Sequence, residues 1–193
     1  MPEAWRCFVA VPLAPRLQAD LKAAVGRWRT AAHAPDLRWA NPDEAHLTLA
    51  FLGATDSSAV PGLVAALRNV ADRTPGFRVP TGGVGAFPRP GAAQVIWYGV
   101  SDPDHRLRDL ASHVQAAVLP SAQPARFQPH VTLARSPVRR GEPLGPWLAT
   151  LEPPAGTLAV NALTLFRSHL GQGPARYEVL ARLPLRGAGS GHG

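Results

Sequence analysis

Two segments of this 193-residue chain share the pattern His-x-Thr-Leu: AHLTLAFLG, from Ala45 to Gly53, and PHVTLARSP, from Pro129 to Pro137. The copies lie 84 positions apart, and each falls at a comparable place in a strand–helix–strand order that recurs loosely along the chain. Strand side chains alternate faces with period two. His46, Thr48 and Ala50 are therefore predicted on one face, opposite Leu47, Leu49 and Phe51. His130, Thr132 and Ala134 are predicted to share a face opposite Val131 and Leu133. The apolar sets can enter a core while imidazole and hydroxyl stand side by side toward a cleft, with the small alanine leaving room for a ligand. One His-x-Thr alone is ordinary strand sequence, because threonine favours strands. Two copies in matching positions point to a duplicated lobe with a shared cleft.

The remaining elements fit that plan. Phe8 to Leu13 reads as a first strand, and Pro15 opens a helix with Leu17, Leu21, Ala24, Val25 and Trp28 at helical spacing. A short extended piece around Trp39 and a turn at Asn41-Pro42-Asp43 lead into the first histidine strand. SSAVPGLVAALRNVADR predicts a second helix interrupted near its start by Pro61-Gly62. Two strands follow, Phe77 to Phe87 and Gln94 to Val100, joined by the loop FPRPGAAQ. In the second half Leu107, Leu110, Ala111, Val114 and Val118 mark one face of a third helix, ahead of the strand FQPHVTLARS. EPLGPWLATL predicts a short helix, and TLAVNALTLFRSHL and ARYEVLARLPL predict two closing strands. This mixed order predicts an α+β fold rather than a doubly wound sheet. Residues 1–186 form one domain, and 187–193 a flexible tail with nothing to bury.

Composition narrows the function. Hydrophobic residues make up 46% of the chain, enough for a sizeable core. No apolar run reaches the roughly 18 residues of a membrane span, and the N-terminus lacks the basic leader of a signal peptide. The expectation is a soluble cytoplasmic protein with no membrane partner. Cys7 is the single cysteine, which excludes an internal disulfide and a cysteine-built zinc site. The formal charge of +7 is carried almost wholly by arginine, Lys22 being the only lysine. A GC-rich coding bias accounts for arginine use of this kind, yet the guanidinium fork still suits phosphate, and nucleic acid is the natural anionic partner. TGGVGAF does not follow a strand and open a helix, so it is not a dinucleotide fingerprint.

Two imidazoles facing one cleft suit phosphodiester chemistry. Histidine exchanges protons near neutral pH, with an ordinary pKa of about 6.5. One ring can deprotonate water while the other protonates the leaving oxygen, and threonine hydroxyls can donate to phosphoryl oxygens. The two motifs are pseudo-symmetric, so the residues do not say which histidine is acid and which base. No carboxylate lies at metal-binding spacing from either motif, so neither metal nor other cofactor is expected.

The motifs, with FVAVPL, LRWANPDEAHLTLAFLG, GAFPRP, VIWYGV, FQPHVTLAR and LFRSHLGQGPARYEVLARLPL, resemble the 2H phosphoesterase superfamily. Within it they resemble the RNA 2′,3′-cyclic phosphodiesterases, the LigT-like or 2′-5′ RNA ligase family. The likeness covers nearly the whole chain. It implies a bilobal duplicated fold, two antiparallel sheets flanking a central cleft with helices outside. It further implies metal-independent hydrolysis of RNA 2′,3′-cyclic phosphate ends to 2′-phosphates, with a 2′-5′ RNA ligase side activity. By motif position His46 becomes the general acid and His130 the general base, while Thr48, Thr132 and Arg135 bind phosphate. Strict alternation would point Arg135 away from the histidines, so the role requires the strand to twist or end near Ala134. Trp39, Phe51, Arg89, Phe127, Arg167 and Ser168, with Trp97, are candidate RNA contacts, although each has an ordinary structural reading. The other five histidines (His33, His105, His113, His169, His192) read as structural or exposed, and Ala45 stands where the family commonly carries leucine. The implied partner is RNA with a cyclic phosphate end, tRNA fragments among them, acted on by a monomer. Two alternatives remain open: a 2H phosphodiesterase for 2′-5′ oligoadenylate, cyclic ADP-ribose phosphate or oligouridine tails, and a non-catalytic RNA-binding module.

Overall fold

The protein is seen here as a computed structural model, which describes residues 3–119, 127–169 and 175–187. The described strands are β1 (Ala4–Pro12), β2 (Arg38–Trp39), β3 (His46–Asp56), β4 (Phe77–Phe87), β5 (Val95–Val100), β6 (His130–Arg135), β7 (Gly156–Val160), β8 (Ala162–His169) and β9 (Arg176–Pro184). The helices are α1 (Pro15–Thr30), α2 (Val60–Arg73), α3 (Arg106–Val118) and the single turn α4 (Gly145–Leu148). None of them is long and apolar enough to cross a membrane.

All named strand pairs are antiparallel, and the fold is α+β. The strands run in the order β7-β4-β5-β6-β3-β1-β8-β9, with β2 beside β6. Each lobe supplies four consecutive strands of that order, ending on its histidine strand. The two four-strand sets meet at the β3–β6 junction, where the register has one pair, Leu47 opposite Val131. Both residues are buried, at 0% and 1% exposure. The equivalences are direct: β1-α1-β3 in one lobe repeats as β5-α3-β6 in the other.

Helices α1 and α3 cross between lobes. Helix α3 leaves β5 and packs on β3 of the opposite lobe, and α2 packs against α3, β8 and β9. Leu17 of α1 presses on β7, where an added Cβ on Gly156 would meet its side chain at 2.8 Å. The apolar spacing of the sequence is fulfilled here: Leu17, Leu21, Ala24, Val25 and Trp28 of α1, and Leu107, Leu110, Ala111, Val114 and Val118 of α3, are all buried. Pro61 does not interrupt α2, because it occupies the first turn, where the missing N–H has no helical partner to lose.

The run TLAVNALTLFRSHL is not one strand. It divides at exposed Asn161 into β7, which pairs with β4, and β8, which pairs with β1 in the other lobe. The apolar pattern continues through the break and hides it, whereas the chain changes lobes there. The tail predicted for 187–193 lies, apart from Gly187, outside the described residues, as does His192.

The strand junction between the lobes is this one buried rung, and its side chains share the join with α3 packed on β3 and α1 packed on β7. Leu47→Ala is expected to cost about 3 kcal/mol, a full core leucine deletion, read as a lower midpoint in urea denaturation. A loss below about 1 kcal/mol would show that the junction is not a packed part of the core.

Candidate active site

Antiparallel geometry turns the Leu47–Val131 pair into a site. Directly opposite residues share a face. The residues flanking that pair therefore point to the other face, His46 opposite Thr132 and Thr48 opposite His130. The two histidines lie on a diagonal, whose backbone positions are roughly 7–8 Å apart in a regular ladder. A cleft of about 760 Å³ opens on this face, lined by all four residues.

The alternation predicted from the sequence fails three residues after each histidine, identically in both strands. The register of β1 on β3 shifts between Thr48 and Ala50, leaving Leu49 as an extra residue. The register of β5 on β6 shifts between Thr132 and Ala134, leaving Leu133 extra. Each is a β-bulge, and each reverses the side-chain parity after it, in β3 as far as Leu52, where a second register shift follows. Burial runs the same way in both: partly buried histidine, buried, partly buried threonine, two buried residues, then an exposed one. Ala50 and Ala134 consequently belong to the core cluster rather than serving as open space beside the threonines, although Ala134 still touches the cleft floor. Phe51, expected on the core face, is 71% exposed and lines the cleft. Arg135, which an ideal strand would point away, lines it too.

Both bulge carbonyls find partners. Leu49 O accepts from Gln115 Nε2 of α3 at 2.9 Å. Leu133 O accepts from the backbone N–H of Ala40, just after β2, at 2.9 Å.

Each imidazole is oriented by its own chain. His46 Nδ1 lies 2.7 Å from Glu44 O, and His130 Nδ1 lies 2.7 Å from Gln128 O. A carbonyl only accepts, so Nδ1 carries the proton in each neutral ring and Nε2 is left for chemistry. The walls differ. His46 is packed by Phe8 (4.9 Å between ring centroids), edge-on by Tyr177 (5.1 Å) and by Phe166 (6.0 Å). His130 meets Phe87 edge-on at 4.9 Å. Burial pushes both imidazoles below the ordinary histidine pKa, and the carbonyl hydrogen bonds partly oppose it. Charge on His130 further lowers His46, whereas the Arg135 guanidinium further lowers His130.

Of the other expected contacts, Trp39 and Ser168 line the cleft. Trp39 does so with its ring packed on the core and edge-on to Trp147. Arg167 does not reach it. Neighbouring strand residues face opposite ways, so Ser168 lies opposite Arg6 on the cleft face while Arg167 ion-pairs with Glu3 at 2.7 Å and stacks on Trp5. Arg89 is exposed in the loop before the turn Pro90–Ala92, and Phe127 packs on the core; neither lines the cleft. Trp97 spreads over Gly85, in space an added Cβ there would occupy. His33, His105 and His113 are exposed, and His169 is paired with Glu178. Sequence reading missed Arg6, Phe8, Arg38, Glu44, Phe87 and Tyr177, all of them lining residues. Their positions become readable only once the strand pairing is known, Glu44 standing in the turn Pro42–Glu44 just before β3.

The family model for the 2′-5′ RNA ligase superfamily matches residues 15–172. The RNA 2′,3′-cyclic phosphodiesterase of Thermus thermophilus is 33% identical over 94% of this chain and 91% of its own length. The enzyme of the same name from Geobacillus stearothermophilus is 32% identical over 95% of this chain, which spans only 58% of that protein. In three dimensions the chain is similar to E. coli LigT complexed with 3′-AMP, with a TM-score of 0.74 and 28% identity, covering 95% of this chain and 99% of that one.

The couplings between charges predict NMR behaviour. In His130→Gln the imidazole pKa of His46 should rise, because a neighbouring positive charge is gone; in Arg135→Gln that of His130 should rise. No movement in either variant would mean that the groups do not face one another. Gln115→Leu should cost about 1–3 kcal/mol, since it strands the buried Leu49 carbonyl, measured by thermal or urea unfolding.

Proposed function

The chain belongs to the 2′-5′ RNA ligase superfamily, and from that premise we propose that it hydrolyses RNA 2′,3′-cyclic phosphate ends to 2′-phosphates, using His46 and His130 without a metal. The observation that carries the reading is the quartet of alternating His and Thr around the Leu47–Val131 pair, opening on one cleft.

In this mechanism the cyclic phosphate sits between the two imidazoles. His130 Nε2 takes a proton from water as its oxygen bonds to phosphorus. The bond from phosphorus to O3′ breaks, and His46 Nε2–H gives its proton to that oxygen. The product carries a 2′-phosphate and a free 3′-hydroxyl, and the two histidines exchange protons with solvent to reset. Thr48 and Thr132 donate to the non-bridging oxygens, and Arg135 offsets the charge that builds on them. Replacing water by the 5′-hydroxyl of another RNA gives a 2′-5′ linkage through the same proton transfers, the proposed side activity.

Electrostatics supports the assignment of roles. A base must be neutral before the reaction, and Arg135 disfavours charge on His130. Burial disfavours charge on His46 too, and an anionic phosphate bound beside it would offset that cost and favour its charged form.

His46→Ala and His130→Ala should each lower kcat by roughly 10²–10⁴-fold on a cyclic-phosphate-ended oligonucleotide, in folded protein and with EDTA present. Near-normal activity in either variant, or loss of wild-type activity in EDTA, would overturn the mechanism. A 3′-phosphate product would reverse the acid and base. Both imidazoles are depressed in the free protein, and their mutual repulsion favours the singly charged pair between two macroscopic pKa values. The bell of kcat/KM against pH, which reports the free enzyme, should therefore be centred below about pH 6.5; a centre at or above pH 7.5 would contradict it.

A further inference from the structure

We propose that Arg38 and Arg135 together form a second phosphate subsite, which holds the internucleotide phosphate on the 5′ side of the terminal ribose and makes the enzyme selective for RNA chains over cyclic mononucleotides. This rests on the function proposed above and specifies its substrate.

The residues meet across a strand pair. Strand β2 is two residues long, with Arg38 opposite Arg135 and Trp39 opposite Ala134. It runs along the edge of β6 beyond the point where β3 separates, held there by the hydrogen bond from Ala40 N–H to Leu133 O. Directly opposite residues share a face, and the bulge at Leu133 has turned Arg135 to the cleft. Arg38 therefore stands on the cleft face as well, and both residues are exposed and line the cavity.

Like charges placed directly opposite one another oppose strand pairing. The pair therefore adds nothing to the stability of β2. Among the described residues neither guanidinium has a carboxylate within ion-pair distance, although the protein forms such pairs elsewhere, at Lys22–Asp43 and Arg167–Glu3. Glu44 also lines the cleft, but its carboxylate accepts from the Tyr177 N–H at 3.3 Å rather than from either arginine. Two unpaired guanidiniums on adjacent strands, beside a quartet that takes one phosphate, leave a fork for another phosphate. Arginine matches phosphate oxygens in a bidentate way. Arg135 can touch both phosphates, whereas Arg38, one strand further from the threonines, is committed to the second.

The test compares a 2′,3′-cyclic mononucleotide, a dinucleotide ending in the cyclic phosphate, and the same dinucleotide with a neutral methylphosphonate linkage. Wild-type kcat/KM should be about tenfold higher for the charged dinucleotide than for the neutral one, and Arg38→Gln should remove most of that ratio. The loss should fall on the charged dinucleotide about ten times more heavily than on the mononucleotide. Equal losses on all three substrates would place Arg38 at the scissile phosphate and overturn the subsite. An unchanged ratio would overturn it too. If the wild type turns over the neutral and charged dinucleotides equally well, the subsite fails while the proposed activity stands; if it turns over none of the three, both fail. Circular dichroism of Arg38→Gln checks that the variant folds, which the relief of a like-charge contact favours.

Discussion

The geometry of the site depends on one rung. Leu47 and Val131 are the sole register pair between the two histidine strands, and both are buried. Because their side chains are committed to the core, the residues before and after them in each strand have no choice of face. One hydrophobic pair thus aims four polar side chains, two imidazoles and two hydroxyls, at a common point. Further along, the strands are free to diverge, and the divergence is the cleft. Additional rungs would flatten the sheet and close the space a substrate needs.

The bulges complete what the rung begins. Leu49 and Leu133 each insert a residue at the same distance from their histidine, so that residue +5 comes back to the cleft. Without the insertion Phe51 and Arg135 would fall on the face that the core occupies, and a buried unpaired guanidinium there would be strongly destabilising. The insertion leaves a carbonyl without a ladder partner on each strand. Gln115 satisfies one from a helix of the opposite lobe, and the N–H following β2 satisfies the other. The second hydrogen bond holds the two-residue β2 against β6.

The sequence made much of this legible. The His-x-Thr repeat, the apolar faces of α1 and α3 and the α+β class are all properties of local pattern, and they match the structure. The family resemblance matches as well: the superfamily is the one the motifs suggested. What could not be read were features that depend on registry between distant segments. Period two runs smoothly through HLTLAF and HVTLAR, so nothing local marks Leu49 or Leu133 as extra. The pattern likewise runs through Asn161, where the chain changes lobes. Arg167 and Ser168 were equally plausible cleft residues until the partner strand showed that only Ser168, opposite Arg6, faces inward.

Pseudo-symmetry raises a chemical difficulty for the proposed mechanism. Two equivalent histidines cannot be acid and base at once, so something must break the equivalence before substrate arrives. Position +5 breaks it: an aromatic ring, Phe51, in one lobe and a guanidinium, Arg135, in the other. The ring adds no charge, and with Phe8, Phe166 and Tyr177 it makes the His46 side of the cleft apolar. The guanidinium makes the His130 side positive, which suppresses protonation of His130 and draws phosphate oxygens. Burial depresses both rings, charge on His130 adds a penalty on His46, and Arg135 adds one on His130. The fold duplicates the His-x-Thr groups, while the residues around them, at position +5 and in the aromatic walls, differ between the lobes.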